Sequence, residues 1–338
     1  MGHKPGLFFY LLCGIVFVSA CSSSQEPLRP PSGYRVIGYA PEWVGLSGLS
    51  ERTDFNLFTH LNISFGNPDA DGNFEPLPGE LLYITRAHAS GVKVFYSLGG
   101  GTTALESDIR DRWLYFMEPS RRDQFIENIV GYVIDAGYDG IDLDLEGEAI
   151  TALYSPFVLA LYGKLQDSVT ASGQIPELSA ALPAWEIDPD ITPEALGCFD
   201  WINIMAYDLT GPWDPTTPGP HSPYSYAGQG LALFRMAGLG PERMVLGLPL
   251  YGYGFGAGFP DEYYPFKEIV TLDSDAWRVD NLSSPQGGVL HYNGADTIRQ
   301  KTRLAANEGS GVMFWQIDDD APGNLSLIRC AVKTLKEP

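Results

Sequence analysis

Positive charge is scarce in this chain. Only 21 Lys and Arg stand against 42 Asp and Glu, a formal net charge of −21 and a pI near 4.4. Such a balance argues against nucleic acid and anionic membrane surfaces as partners, because both attract basic patches. Histidine is nearly as sparse, with five in 338 residues. His60, His88, His221 and His291 are scattered, and no His or Cys cluster has metal-ligand spacing, so no metal is expected. Of the four cysteines, Cys13 falls in the amino-terminal apolar run and Cys21 just after it, which leaves Cys198 and Cys330. No internal repeat or low-complexity segment interrupts the sequence. What remains is 44% hydrophobic, enough for a sizeable core, and 12% aromatic with 7 Trp and 18 Tyr. Those rings suit stacking on flat ligand faces, although each taken singly is ordinary core material.

The amino-terminal apolar run, Leu7–Val18 behind Lys4, is too short to cross a membrane as a mature helix. It ends Val18-Ser19-Ala20-Cys21, which resembles a bacterial lipobox cut before Cys21. Residues 1–20 therefore read as a lipoprotein signal peptide, with Cys21 the lipidation site. The polar, Pro-containing stretch that follows, to residue 33, reads as a tether. A simple secretory peptide is the alternative. The expectation is an extracytoplasmic, membrane-anchored monomer at the cell surface or outer membrane.

The chain is organised around Tyr138-Asp139-Gly140-Ile141-Asp142-Leu143-Asp144-Leu145-Glu146. Asp142, Asp144 and Glu146 are two apart, with aliphatic residues between them. In a β-strand this period sends the acids to one face and the aliphatics to the other. Acids on one face recur roughly every 7 Å, so they cannot all ionise freely, and at least one should keep a proton near neutrality. That is what a general acid requires. Asp139 falls out of phase and reads as a packing residue. A calcium loop would need a bidentate Glu at its twelfth position, where this chain has Leu153. A solvated acidic strand fits poorly with the aliphatic half.

Asp139-x-x-Asp142-x-Asp144-x-Glu146 resembles the signature of glycoside hydrolase family 18, the chitinases and their relatives. Ser97-Leu98-Gly99-Gly100 is similar to the family's Ser-x-Gly-Gly motif. Met205-Ala206-Tyr207-Asp208 is similar to its Met-x-Tyr-Asp element, and Gly211-Pro212-Trp213-Asp214 to a loop of its chitinases. Trp315 stands where the family has a Trp under the bound sugar.

Read in order, short apolar or β-branched runs recur at Arg35–Trp43, His60–Gly66, Lys93–Gly99, Tyr138–Glu146, Glu177–Pro183, Asp200–Asp208, Met244–Tyr251 and Gly311–Asp318. Helical stretches alternate with them, at Glu80–Ser90, Ser120–Ala136, Pro156–Ala171, Tyr226–Ala237, Ala295–Asn307 and Leu325–Leu335. Eight strands in this alternation predict an α/β fold, a parallel (β/α)8 TIM barrel over residues 34–338 with its site at the carboxyl ends of the strands. Cys198 and Cys330 then fall on the sixth strand and the last helix, which are not neighbours, and two free buried thiols are expected. Tyr39, Trp43, Phe65, Trp185 and Met205 join the candidates at strand ends. About forty residues, Tyr253–Asn293, follow the seventh strand, where larger family members carry an α+β insertion. They are rich in Gly, Pro and Tyr and predict no full wall, hence a shallow, open cleft suited to internal cleavage.

The resemblance implies a substrate-assisted mechanism, an exception to the usual two-carboxylate scheme. Glu146 would protonate the glycosidic oxygen, and Asp144 would hold the N–H of the substrate's N-acetyl group while its carbonyl attacks. Asp142 would share a proton with Asp144, and Tyr207, assisted by Asp208, would orient the carbonyl. Trp315 would floor the subsite, with Met205, Tyr39, Phe65, Ser97, Gly99, Gly100 and Trp213 as further substrate contacts. No cofactor is implied. The expected activity is an endo-chitinase acting on chitin or N-acetylglucosamine oligosaccharides. The alternatives are an endo-β-N-acetylglucosaminidase acting on N-glycans and a non-catalytic chitin-binding lectin.

Overall fold

The computed structural model describes residues 1–2, 27–259 and 262–337. The signal run and Cys21 lie outside the described residues. Eight parallel strands close into a barrel: β1 (Arg35–Pro41), β2 (His60–Gly66), β3 (Lys93–Gly99), β4 (Gly140–Asp144), β5 (Glu177–Pro183), β6 (Trp201–Met205), β7 (Met244–Pro249) and, last in the chain, β12 (Gly311–Trp315). β12 pairs with both β1 and β7, which closes the ring and leaves no open edge. Every expected strand is present, and the alternation with helices is as the sequence predicts.

β4 shows why the sequence folds this way. Ile141, Leu143 and Leu145 point outward and are buried in the main core between strands and helices. Burying each such side chain contributes about 1.5–3 kcal/mol. Helix Arg122–Ala136 precedes the strand and covers this core with Phe125, Ile126, Ile129, Val130 and Val133. It stops at Gly137, whose φ of 87° turns the chain while the Tyr138 N–H reaches back to the Val133 carbonyl at 3.0 Å. The strand is thereby delivered to the barrel with Asp142 and Asp144 facing inward. A second, smaller apolar group of Ile37, Tyr39, Phe95, Trp201, Tyr207, Val245 and Met313 fills the barrel itself. Helix Ser107–Met117, which the sequence reading passed over, buries Trp113, Phe116 and Met117.

After β7, β8 (Tyr251–Phe255), β9 (Tyr263–Pro265), β10 (Asn281–Ser283) and β11 (Val289–His291) form an antiparallel sheet in the order β10-β11-β8-β9, with helix Phe266–Leu272 beside it. Phe266, Ile269, Leu290 and Tyr292 are buried under it. This is the short insertion expected after the seventh strand, and it is folded as four brief strands and one helix. Tyr251, Tyr253 and Phe255 of β8 pack with Trp315 at the barrel mouth. Cys198 and Cys330 are free and buried, as expected.

Candidate active site

β3, β4 and β5 are paired so that Ser97, Asp142 and Ser179 lie side by side across the barrel interior. Four donors converge on the buried Asp142 carboxylate. The Tyr39 hydroxyl donates at 2.5 Å, Ser179 Oγ at 2.5 Å, Ser97 Oγ at 3.0 Å and Asn203 Nδ2 at 3.1 Å. An ionised carboxylate accepts only, so this donor set suits that form. One turn of the pleat higher, Asp144 accepts the Ala181 N–H at 2.9 Å, and its other oxygen lies 3.1 Å from Ser97 Oγ. Burial, then the neighbouring Asp142 charge, pushes the Asp144 carboxyl well above its usual value. Asp144 is thereby disposed to keep a proton to higher pH than an ordinary carboxyl.

Glu146 lies just beyond β4, in extended backbone, with its N–H held by Thr103 Oγ1 at 2.9 Å. Burial, aided by the charge of Asp208, pushes its carboxyl up to about 7. It is thus a carboxylic acid over the acidic range, able to give up a proton near neutrality. Tyr207 is buried as part of the inner core, and burial followed by the nearby acids holds its hydroxyl far above the usual range, so it remains a donor.

These groups line a hollow of about 310 Å³, together with Tyr39, Phe65, Met205, Asp208 and Trp315. Trp315 stacks on Phe65 at 5.5 Å and 22°, and meets the Tyr39 ring edge-on. Trp43 continues the aromatic surface outward from both. The structure thus brings Glu146, Asp144, Tyr207, Asp208, Met205, Tyr39, Phe65 and Trp315 into one site, with Asp142 directly beneath. Ser97 is not at the surface of the cleft. It is fully buried and serves the two acids, which corrects its expected role as a substrate contact. Gly99 and Gly100, with φ of 101° and 76°, act by what they lack. A Cβ on Gly100 would come within 2.4 Å of the Phe65 ring, and one on Gly99 within 2.9 Å of the Asp144 carbonyl. Trp213 stands outside this lining, 60% exposed and edge-on to Tyr253.

Sequence reasoning missed Ser179, Asn203 and Thr103. The first two face the barrel interior, Ser179 level with Asp142 and Asn203 paired with Ala181, and a polar residue inside an otherwise apolar strand was the available signal. Thr103, in the short helix Thr102–Leu105, carried none. Also missed were the groups around Asp208, namely His221, Tyr251 and Tyr253.

A second, smaller hollow shares Glu146 and Met205 with the first. It is walled by Leu182, Ile187 and Trp185, the last 59% exposed. Glu146 accordingly stands on the boundary between two depressions. A carboxylic acid poised to give a proton, beside a buried acid and a tyrosine donor, is equipped to cleave a bond whose leaving oxygen must be protonated.

Comparison with known proteins agrees with this chemistry. A crystal structure of a family 18 chitinase from the chitin utilization locus of Flavobacterium johnsoniae is 32% identical, with a TM-score of 0.81 over 89% of this chain and 94% of that one. Endochitinase 1 of Metarhizium robertsii is 26% identical over 76% of this chain and 68% of its own length. A chitinase-like effector of Moniliophthora perniciosa is 24% identical over 76% and 68% respectively. The model of glycosyl hydrolases family 18 matches residues 35–320, and the chain belongs to that family of glycoside hydrolases.

Proposed function

We propose that this glycoside hydrolase is an endo-acting chitinase, cleaving β-1,4-linked N-acetylglucosamine chains with retention of configuration. The observation that carries the reading is the disposition of the acids. Asp142 is 0% and Asp144 3% exposed, with the oxygens of both committed to hydrogen bonds. Asp144 and Glu146 both line the hollow, but Asp144 is anchored from below by Ala181 and Ser97. Among the described residues, Glu146 alone of the three stands free of such bonds, poised to give a proton. An ordinary retaining enzyme needs a second carboxylate as nucleophile. Here the substrate supplies it.

In the first step Glu146 gives its proton to the glycosidic oxygen as the C1–O bond breaks. The carbonyl oxygen of the N-acetyl group bonds to C1, forming an oxazolinium whose N–H is held by Asp144. The Tyr207 hydroxyl donates to the acetamido oxygen and orients it. In the second step Glu146, now a carboxylate, takes a proton from water as the water oxygen attacks C1 and the oxazolinium opens. The acid is restored. Internal cleavage is supported by the hollows on both sides of Glu146, with Trp43 and Trp315 toward one end and Trp185 toward the other. Family members without an acid at this position would only bind sugar, and the complete Asp142, Asp144, Glu146 and Tyr207 set argues against that role. Two inversions give net retention, so early products of a chitin hexamer should be β-anomers by time-resolved NMR. An α-anomer, or efficient cleavage of fully deacetylated chitosan, rejects the mechanism. An N-glycoprotein assayed in parallel separates chitin from N-glycan substrates.

The same reading places the enzyme outside the cytoplasm on a lipid at Cys21, tethered by the polar segment before β1. Cys21→Ser should move the protein from the membrane to the soluble extracytoplasmic fraction with its activity intact.

A further inference from the structure

Asp208 follows β6 with a φ of 60°, a left-handed backbone that residues with a side chain seldom adopt. Its Oδ1 is a meeting point. The hydroxyls of Tyr251 and Tyr253 both donate to it, the latter at 3.1 Å, and Nδ1 of His221 lies 3.4 Å away. His221 is fully buried, with its ring 4.9 Å and 5.1 Å from those of Tyr251 and Tyr253. Its Nε2 is 3.2 Å from the Tyr251 carbonyl oxygen. A carbonyl can only accept, so Nε2 carries a proton. Nδ1 has no hydrogen-bond partner among the described residues and is left facing the carboxylate. In a neutral ring protonated at Nε2, Nδ1 is a buried lone pair that would face the lone pairs of Oδ1; the Asp208 side chain is 39% exposed toward the hollow, but the Nδ1 side of the contact is closed to water.

We infer that His221 and Asp208 hold one further proton between them, and that this pair governs the pH at which Glu146 loses its own. His221 touches neither Glu146 nor the hollow that would hold substrate, so it is a positioning residue acting through Asp208. The ionisable groups facing it are Asp208 from the end of β6, Tyr251 and Tyr253 from β8, and His291 from β11. Burial, then His221 itself, keeps the His291 imidazole less basic than usual. From helix Ala295–Glu308 the buried Lys301 donates to the carbonyl and hydroxyl of the adjacent Ser222, each at 2.6 Å, and burial brings it down to about 7.

The direction of the effect follows from charge. With its proton the pair is neutral; without it the pair carries one negative charge. The Asp208 charge is the second cause, after burial, of the raised Glu146 carboxyl. A protonated pair therefore lets Glu146 ionise more easily. As pH rises and the pair discharges, Glu146 holds its proton more tightly, which broadens the basic limb of the pH–rate profile.

The inference rests on the proposed hydrolysis only for its kinetic arm. In the first arm, long-range ¹H–¹⁵N spectra of the imidazoles are recorded on the full protein without substrate, from about pH 5 to 8, the range in which histidines commonly titrate. Both ring nitrogens of His221 should be protonated at the acidic end, and Asp208→Asn should return the ring to a single proton on Nε2. A wild-type ring with bare Nδ1 throughout overturns the proposal whether or not chitin is cleaved. In the second arm, His221→Asn retains a donor but no charge. The basic limb of kcat/KM should move up by about 0.3–1 pH unit, whereas Asp208→Asn should move it down. His221→Gln is the second variant should the first fail to fold. A limb that stays in place in a folded variant overturns the coupling, because a purely structural histidine would alter rate without moving the limb.

Discussion

Two runs of three acids close two strands of the same barrel and meet different fates. Asp142 and Asp144 on β4 and Glu146 just beyond it are spaced by two, so the extended chain turns all three to one side, where burial and neighbouring charge raise Asp144 and Glu146. Asp318, Asp319 and Asp320 after β12 are consecutive, and a short 3-10 turn spreads them in three directions. Asp318 pairs with Arg52 at 2.6 Å and Lys267 at 2.8 Å. Although burial pushes it up, those two cations hold it below its usual value. Asp319 accepts from the Tyr263 hydroxyl, and burial raises it to about 6. Asp320 receives the N–H groups of Ala321, Leu327 and Ile328 and the Ser326 hydroxyl, tying down the start of the last helix. The number of acids is the same in both runs, and all but Glu146 are aspartates. Spacing against the local backbone period decides which becomes chemical machinery and which becomes scaffolding.

Substitutions can break that contrast at either end. The largest effect is expected for Glu146→Gln, which keeps shape and hydrogen bonding but has no proton to give. Its turnover on chitin oligosaccharides should fall at least about a hundredfold with binding retained, and residual activity of more than a few per cent would reassign the acid. Tyr207→Phe should lower kcat by on the order of ten- to a thousandfold, with a smaller change in ground-state binding measured by calorimetry.

In the β12 run the readout becomes stability. Asp320→Ala leaves buried N–H groups without an acceptor and should cost about 1–3 kcal/mol in urea unfolding, with activity per folded molecule unchanged. A variant that kept its stability but lost turnover would show that the second run is chemical after all.

The fourth outcome links the two properties. Folded Glu146 keeps its proton up to about 7, whereas the unfolded chain releases it near the ordinary value of 4.5. Between those values the folded state holds more protons, so this group's stabilising contribution is complete below 4.5 and lost as pH rises through 7. Glu146→Gln should therefore melt above wild type at alkaline pH, by about 2–4 °C, and the gap should close in acid. Smallest of all, Arg52→Ala breaks a half-exposed ion pair with Asp318 and should cost less than about 1 kcal/mol, less still in high salt.

How much of this was legible beforehand depended on how local the cause was. Ile141, Leu143 and Leu145 alternate with the acids, and that period is a property of the strand, so β4 and its two faces could be read directly. The eight strands and their alternation with helices were legible for the same reason. The sheet after β7 was not. β9, β10 and β11 are three residues each, too short for any period to show, and they exist because pairing satisfies their backbone groups, β9 and β11 against β8 and β10 against β11. Ser97 read as a cleft residue because its motif sits at a strand end, yet the β3–β4 register buries it beside Asp142.

By itself, then, the sequence determined the barrel and the acid-bearing strand with its two faces, because each follows from residue type and periodicity along the chain. Tertiary structure decided which acids keep a proton to higher pH, what surrounds Asp208 and how the cleft is walled. Ser179, Asn203 and Tyr39 lie 37, 61 and 103 positions from Asp142, and His221 reaches Asp208 from a loop rather than a strand. Desolvation and charge act through space, and only closure of the barrel brings those groups within reach.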